Sequence, residues 1–393
     1  MARLPNLRRL KLPEQDLKKS TVCHLLNLPL QQISNLKTND DLGAINHFPF
    51  NLRVIPSAFF SNCSIRAIDI TVPSRVSQIG ENFCEEVRNL AFVRIANQSL
   101  RWNINGAFGY CEHLVHLILT NLPNVRIIYM SFCEMLFNLK TATLGLPNLT
   151  TIGSCFFSRS GIEKLDISEC SNISFIGAFF LYECRKLQEI KFPANLSRLF
   201  SIGEAFMYYC TSLKKLDFRA FGALKIISSR FLEYLHSLEQ IIWPTFHQLD
   251  EIDDNFMAQC KKLQTIDLRP FANVKRIGSD FLEYTDSLEH VQWPVFHQLK
   301  TIGLNFMYSS GIKTLNLVHF PALETIGYNF LFWSEIEEIH LENLNPHIKV
   351  DQGFLWHCEC LRKIYWAKGQ KMPIWLENLG PRPSNSSVEY VEV

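Results

Sequence analysis

Apolar residues along this chain recur as a triplet spaced one, four, six. Leu213, Leu216 and Phe218 form one copy. Further copies are Leu238, Ile241 and Trp243; Leu263, Ile266 and Leu268; Leu288, Val291 and Trp293; and Leu361, Ile364 and Trp366. The step from the fourth to the sixth position has period two, which predicts a short β-strand with one buried face. Three apolar residues bury too little area to offset the entropy of ordering a unit of this length, so the pattern also predicts copies stacked above and below.

A second set of positions repeats with the triplet. Ile55, Ile79, Ile104, Ile128, Ile152, Ile176, Ile202, Ile227, Ile252, Ile277, Ile302, Ile326 and Val350 are equivalent markers, 24 to 26 residues apart. Four residues after each stands a phenylalanine, from Phe59 through Phe156, Phe256 and Phe306 to Phe354. Self-similarity at this period is the signature of a solenoid, with the rings predicted to stack as an inward column. Glycine follows many markers, as at Gly80, Gly153, Gly203, Gly278, Gly303 and Gly327, but Pro56 and Tyr129 share the position. Proline cannot take a positive φ, so a tight approach between turns accounts for the glycines better than a left-handed torsion.

The phrase IGxxF followed by Cys or Ser, then LxxIxL or LxxIxWP, resembles the BspA-type leucine-rich repeat, over residues 55 to 366. That family is found in surface proteins of bacteria and parasitic protists and in intracellular proteins of protists. The resemblance implies an α/β leucine-rich-repeat solenoid of about 13–14 turns of 24–26 residues. Its expected form is curved, with a concave parallel β-sheet and a convex side mostly of loop or short helix, used to bind other macromolecules. The organisation expected is an N-terminal cap over residues 1–41, read as a degenerate repeat, the solenoid over 42–366, and a C-terminal cap over 367–393. Within that last segment Trp375 and Leu376 are placed to cover the open edge.

Composition narrows the function. The chain has 393 residues, 47% of them hydrophobic, and its 39 Lys and Arg nearly cancel its 38 Asp and Glu. No global field draws it to nucleic acid or an anionic membrane. No export signal is visible among Arg3, Arg8, Arg9 and Lys11, and no long uncharged apolar run suggests membrane insertion. Cys111, Cys184, Cys210, Cys260 and Cys358 all fall three residues before a strand and read as one packing column in which Ser237 or Ser287 substitutes. Free thiols in such a column suit a reducing, intracellular and cytoplasmic setting. Sequons beginning at Asn62, Asn97, Asn148, Asn172, Asn195 and Asn385 keep a cell-surface or secreted protein as the alternative.

No GxSxG, HExxH or GxxxxGK motif is present, and the His357, Cys358 and Cys360 cluster lacks the second cysteine pair of a zinc site. The expectation is a non-enzymatic protein–protein interaction scaffold with no cofactor, no nucleic-acid partner and no small-molecule substrate. Its partner protein would meet the strand residues that point away from the core. Those on the expected concave face are Lys214, Lys215 and Asp217; Gln240; Thr265 and Asp267; His290 and Gln292; Thr314 and Asn316; Glu338 and His340; and Lys363 and Tyr365. Phe92, Val115 and Ile118 make the equivalent positions of the first half more apolar. The alternatives are a cell-surface or secreted adhesin or effector, or an F-box-like substrate-recognition adaptor suggested by the leucine-proline start at Leu12.

Overall fold

The computed structural model describes residues 44–45, 54–55, 57–60, 66–70, 76–102, 104–345, 347–369, 372–377 and 388–393. The expected cap over residues 1–41, and with it the F-box-like segment, lies outside these. The chain divides into two units: Met1–Ile173 with Glu189–Pro193, and Ser174–Gln188 with Ala194–Val393. Each is a parallel β-solenoid.

In the first unit one sheet carries seven strands in chain order: Ala44–Ile45, Ala67–Ile70, Phe92–Ala96, His116–Thr120, Thr141–Leu144, Lys164–Asp166 and Glu189–Lys191. All neighbours are parallel, and Val93, Leu117, Ala142 and Leu165 sit in register on the buried side. Period-two alternation therefore places the apolar triplets where the sequence predicts them.

The sequence pattern does not announce a second ribbon, built from two-residue strands at the markers. Val54–Ile55 pairs with Gln78–Ile79, and Ile127–Ile128 pairs with Thr151–Ile152. Two residues are too few to show an alternation, which is why the marker reads only as a buried isoleucine. In the third turn the assignment of Ile104 is corrected, because Trp102 takes the ladder place opposite Ile79. Phe108 then follows the ladder residue by six positions instead of four: one residue is added before Gly106, which takes the left-handed torsion that Asn82 and Ser131 take in their turns, and Phe108 itself is left-handed at a φ of 65°. Trp102 packs edge-on against Phe83 at 5.6 Å and Phe108 at 5.9 Å. Phe83, Phe108 and Phe132 meet edge to face, and Phe132 and Phe156 stack in parallel.

In the second unit the longer strands are Lys215–Asp217, Gln240–Ile242, Thr265–Asp267, His290–Gln292, Thr314–Asn316, Glu338–His340 and Lys363–Trp366. Glu389–Glu392 adds a further parallel strand beside Lys363–Trp366. The marker ribbon runs unbroken from Ile226–Ile227 to Lys349–Val350. Here the phenylalanine column stacks as expected: from Phe180 to Phe354 consecutive centroids are 5.0 to 6.2 Å apart with planes within 11°. Trp375 meets Phe354 edge-on at 4.9 Å, and Leu376 is fully buried.

Between marker and strand the backbone takes left-handed torsions at every second residue. In one turn these are Asn255, Met257 and Gln259, with φ of 61°, 51° and 63°. Their N–H groups donate in alternating directions: Asn255 to Ser279 O, Met257 back to Phe231 O, and Gln259 to Glu283 O. Each left-handed residue costs about 1–2 kcal/mol, and the alternation offsets that by giving each of these N–H groups a carbonyl in a neighbouring turn. Asn and Asp tolerate this torsion best, and at the first such position Asn255, Asp280, Asn305 and Asn329 also link their side chains. Among the described residues the helices are 3-10 turns at Arg219–Phe221, Arg269–Phe271 and Leu317–His319, and the α-helical turn Ile374–Glu377.

The glycines after the markers settle the torsion left open by the sequence. None of those named has a positive φ, and a Cβ on Gly303 would stand 2.5 Å from the carbonyl carbon of Gly278. Close approach between turns is the reason for glycine there.

The cysteine column is real but its alternates differ from expectation. Cys111, Cys210, Cys260 and Cys358 are buried and donate to carbonyls of the preceding turn. Burial pushes the Cys111 and Cys260 thiols up to about 12. Thr285 and Ser334 replace cysteine in two turns, and their hydroxyls donate to Leu282 O and Leu331 O. Ser237 and Ser287 are half-buried and sit two residues further on, one before Leu238 and Leu288 where the cysteines stand three before their strands.

Candidate protein-binding face

Parallel pairing turns the outward strand residues of the second unit into columns. Lys215 lies beside Gln240, Thr265 beside His290, and Thr314, Glu338 and Lys363 follow one another. The parallel column holds Asp217 beside Ile242, Asp267 beside Gln292, and Asn316, His340 and Tyr365 in succession. Every residue expected on this face, Lys214 included, is exposed or half-buried. Ile242, 39% exposed, completes the second column.

Much of the charge on this face is already matched. Asp217 accepts a bidentate hydrogen bond from Arg219, and Asp267 does the same from Arg269. The guanidinium hydrogen bonds hold both carboxyls below the ordinary aspartate range. Arg219 and Arg269 were missed by the strand pattern because they lie two residues beyond it, where each begins a 3-10 turn. Glu338 faces Lys363 at 3.5 Å and accepts from the Tyr365 hydroxyl at 3.3 Å. Glu337 pairs with Arg362, and the Asn316 side chain caps the backbone at Val318. Lys214 and Lys215, by contrast, have no ion-pair partner among the described residues.

The equivalent face of the first unit begins apolar and ends charged. Phe92, Val115 and Ile118 are half-buried. Arg94 lies over the Phe92 ring, and His116 bonds Thr141 through Nδ1 at 2.8 Å. Lys164 and Glu189 approach to 3.4 Å, as Lys191 and Asp166 do to 3.8 Å.

The residues weighed for metal binding point apart. The His357 ring packs on Phe332 and Trp333, Cys358 donates inward to Leu331 O, and Cys360 is exposed. His247 and His297 are both exposed. Among the described residues no group of three His, Cys, Asp or Glu could hold a metal ion, and no helix is long and apolar enough to cross a membrane.

Stacked parallel turns with a phenylalanine spine and a polar strand face define a leucine-rich repeat solenoid. The chain belongs to the BspA-type family: the BspA type leucine rich repeat region matches in six copies, over residues 39–161, 124–221, 174–313 and 225–362. Members of this family are generally protein-interaction or surface-protein scaffolds and generally not enzymes. No curated protein matches the chain. Among solved structures it is similar to a leucine-rich repeat protein from Bacteroides ovatus, with 17% identity, 90% of this chain and 76% of that one covered, and a TM-score of 0.35. A leucine-rich cell surface protein from Faecalibacterium prausnitzii has 15% identity, 68% and 83% coverage and a TM-score of 0.34.

Proposed function

We propose that the chain is a non-enzymatic scaffold that binds a partner protein through the longer-strand face of its second unit. The observation that carries this is the contrast within the face: Asp217, Asp267 and Glu338 are neutralised internally, whereas Lys214 and Lys215 stand unpaired at the start of one strand. Two cations free of internal partners, next to rigid polar columns, suit an acidic patch on a protein. The mixed sign of the rest of the face disfavours a nucleic-acid backbone.

An intracellular site of action accompanies this reading. The sequon asparagines Asn97, Asn148 and Asn172 each donate their side-chain amide to a carbonyl of the preceding turn, Val76, Pro123 and Pro147. Asparagine at these places is thereby explained by stacking, with no glycan required.

Affinity capture from the native cell with the full chain and with Lys214→Glu/Lys215→Glu tests the proposal. The partner retained by the wild type should be lost from the variant, with the melting temperature unchanged. A partner retained equally by both, or native protein recovered from the medium with glycans on Asn97 or Asn148, would overturn it.

A further inference from the structure

The marker ribbon of the first unit breaks at the turn that carries Trp102. Arg101–Trp102 closes one ladder, Ile127–Ile128 opens the next, and no pairing joins the two. At the break lies a cleft of about 770 Å³ lined by Gln78, Arg101, Trp102, Arg126 and Tyr129, with Glu81 the one carboxylate among its described residues.

The two arginines are anchored from opposite sides of that break. Arg101 donates its backbone N–H to Ser77 O in the turn before, and the Arg126 carbonyl accepts from Thr150 in the turn after. Both guanidiniums are exposed, and among the described residues neither has an ion-pair partner. Trp102 is only 5% exposed, and its indole Nε1 is buried with no acceptor. The Trp102 ring packs inward on Phe83 and Phe108, so the cleft's exposed donors are the two guanidiniums and Gln78.

We infer that this cleft binds a small phosphate monoester. Two guanidiniums on backbone held at both sides of the break match the charge of a phosphate dianion, and their planar forks offer more donors than a single carboxylate uses. Gln78, in register with Arg101, adds a neutral donor. Tyr129, 40% exposed, offers a ring against which the remainder of the ligand can lie. The site is independent of the protein-binding face, which belongs to the second unit.

Calorimetric titration of the full chain with glucose 6-phosphate, inorganic phosphate and citrate tests the inference. A 5-fluorotryptophan sample followed by fluorine NMR, with Trp102 assigned through Trp102→Phe, reports the position. Glucose 6-phosphate should bind saturably and shift the Trp102 resonance. Arg101→Ala and Arg126→Ala, which alter exposed side chains and leave the core intact, should each weaken it at least about tenfold. Arg219→Ala should not. No saturation by about 10 mM, binding unchanged in the double arginine variant, or citrate bound more tightly than the phosphate ester would each overturn it.

Discussion

Tyr365 lies flat on His340, with ring centroids 4.0 Å apart and planes 1° from parallel. The parallel register sets one directly beside the other. Two flanking carboxylates fix the pair, Glu342 at 3.1 Å from His340 Nδ1 and Glu338 accepting from the tyrosine hydroxyl. A rigid aromatic pair on an exposed sheet is the sort of feature that concentrates binding energy, since little rotamer freedom remains to be lost.

Tyr365→Ala is therefore expected to cost only about 0.5–1.5 kcal/mol of stability, the worth of one aromatic pair. Retention of the partner captured by the wild type should fall by about tenfold. Chemical denaturation and quantitative pull-down on the same preparation check the two effects separately.

Phe281 stacks on Phe256 at 5.2 Å and Phe306 at 5.3 Å, at the middle of the column. Phe281→Ala should cost about 3–5 kcal/mol, because neighbouring turns held by their own ladders cannot collapse into the void. Tyr328→Ala, at a side chain 48% exposed, should stay within about 0.5 kcal/mol. Equal effects of the two in urea denaturation would contradict the packed spine.

Gly303→Ala pushes a Cβ into the Gly278 backbone and should destabilise by about 1–3 kcal/mol. Gly109→Ala is the control: the nearest atom to its Cβ is 3.6 Å away and its φ is not left-handed. It should be neutral or stabilising by about 0.4–1 kcal/mol. Thermal melts of the two variants distinguish crowding from a general intolerance of alanine.

Glu233 and Glu283 give the fold a pH dependence. Burial lifts both carboxyls to about 7, with the neighbouring Asp280 raising them further and Arg230 partly opposing the rise at Glu233. The folded chain holds protons on them between 4.5 and about 7 that the unfolded chain has released. Their contribution to stability is thus greatest below 4.5 and is lost as pH rises towards 7. Glu233→Gln/Glu283→Gln should raise the melting temperature near pH 8 and flatten its change between pH 5 and 8. A slope unchanged from wild type would assign the dependence elsewhere.

The parts of this architecture that each turn repeats were legible in its letters. Leu216, Ile266 and Leu315 face inward and Lys215, Thr265 and Thr314 outward because a strand alternates with period two, whatever surrounds it. The phenylalanine spine was legible for the same reason, since a residue needed at the same place in every turn recurs at the same interval. The candidate face was legible only as a set of residues. Its internal pairings, such as Asp217 with Arg219, depend on 3-10 turns that no periodicity marks.

Sequence alone thus determined the repeat, the buried and exposed sides of each strand, and the family, because these depend on spacing within one turn. Tertiary structure decided what depends on the distance between turns. It placed a second ribbon at the markers, demanded glycine where backbones nearly touch, and moved the ladder from Ile104 to Trp102. A contact across a turn boundary joins residues some 24 to 26 positions apart, and only the stacked chain fixes which of them meet.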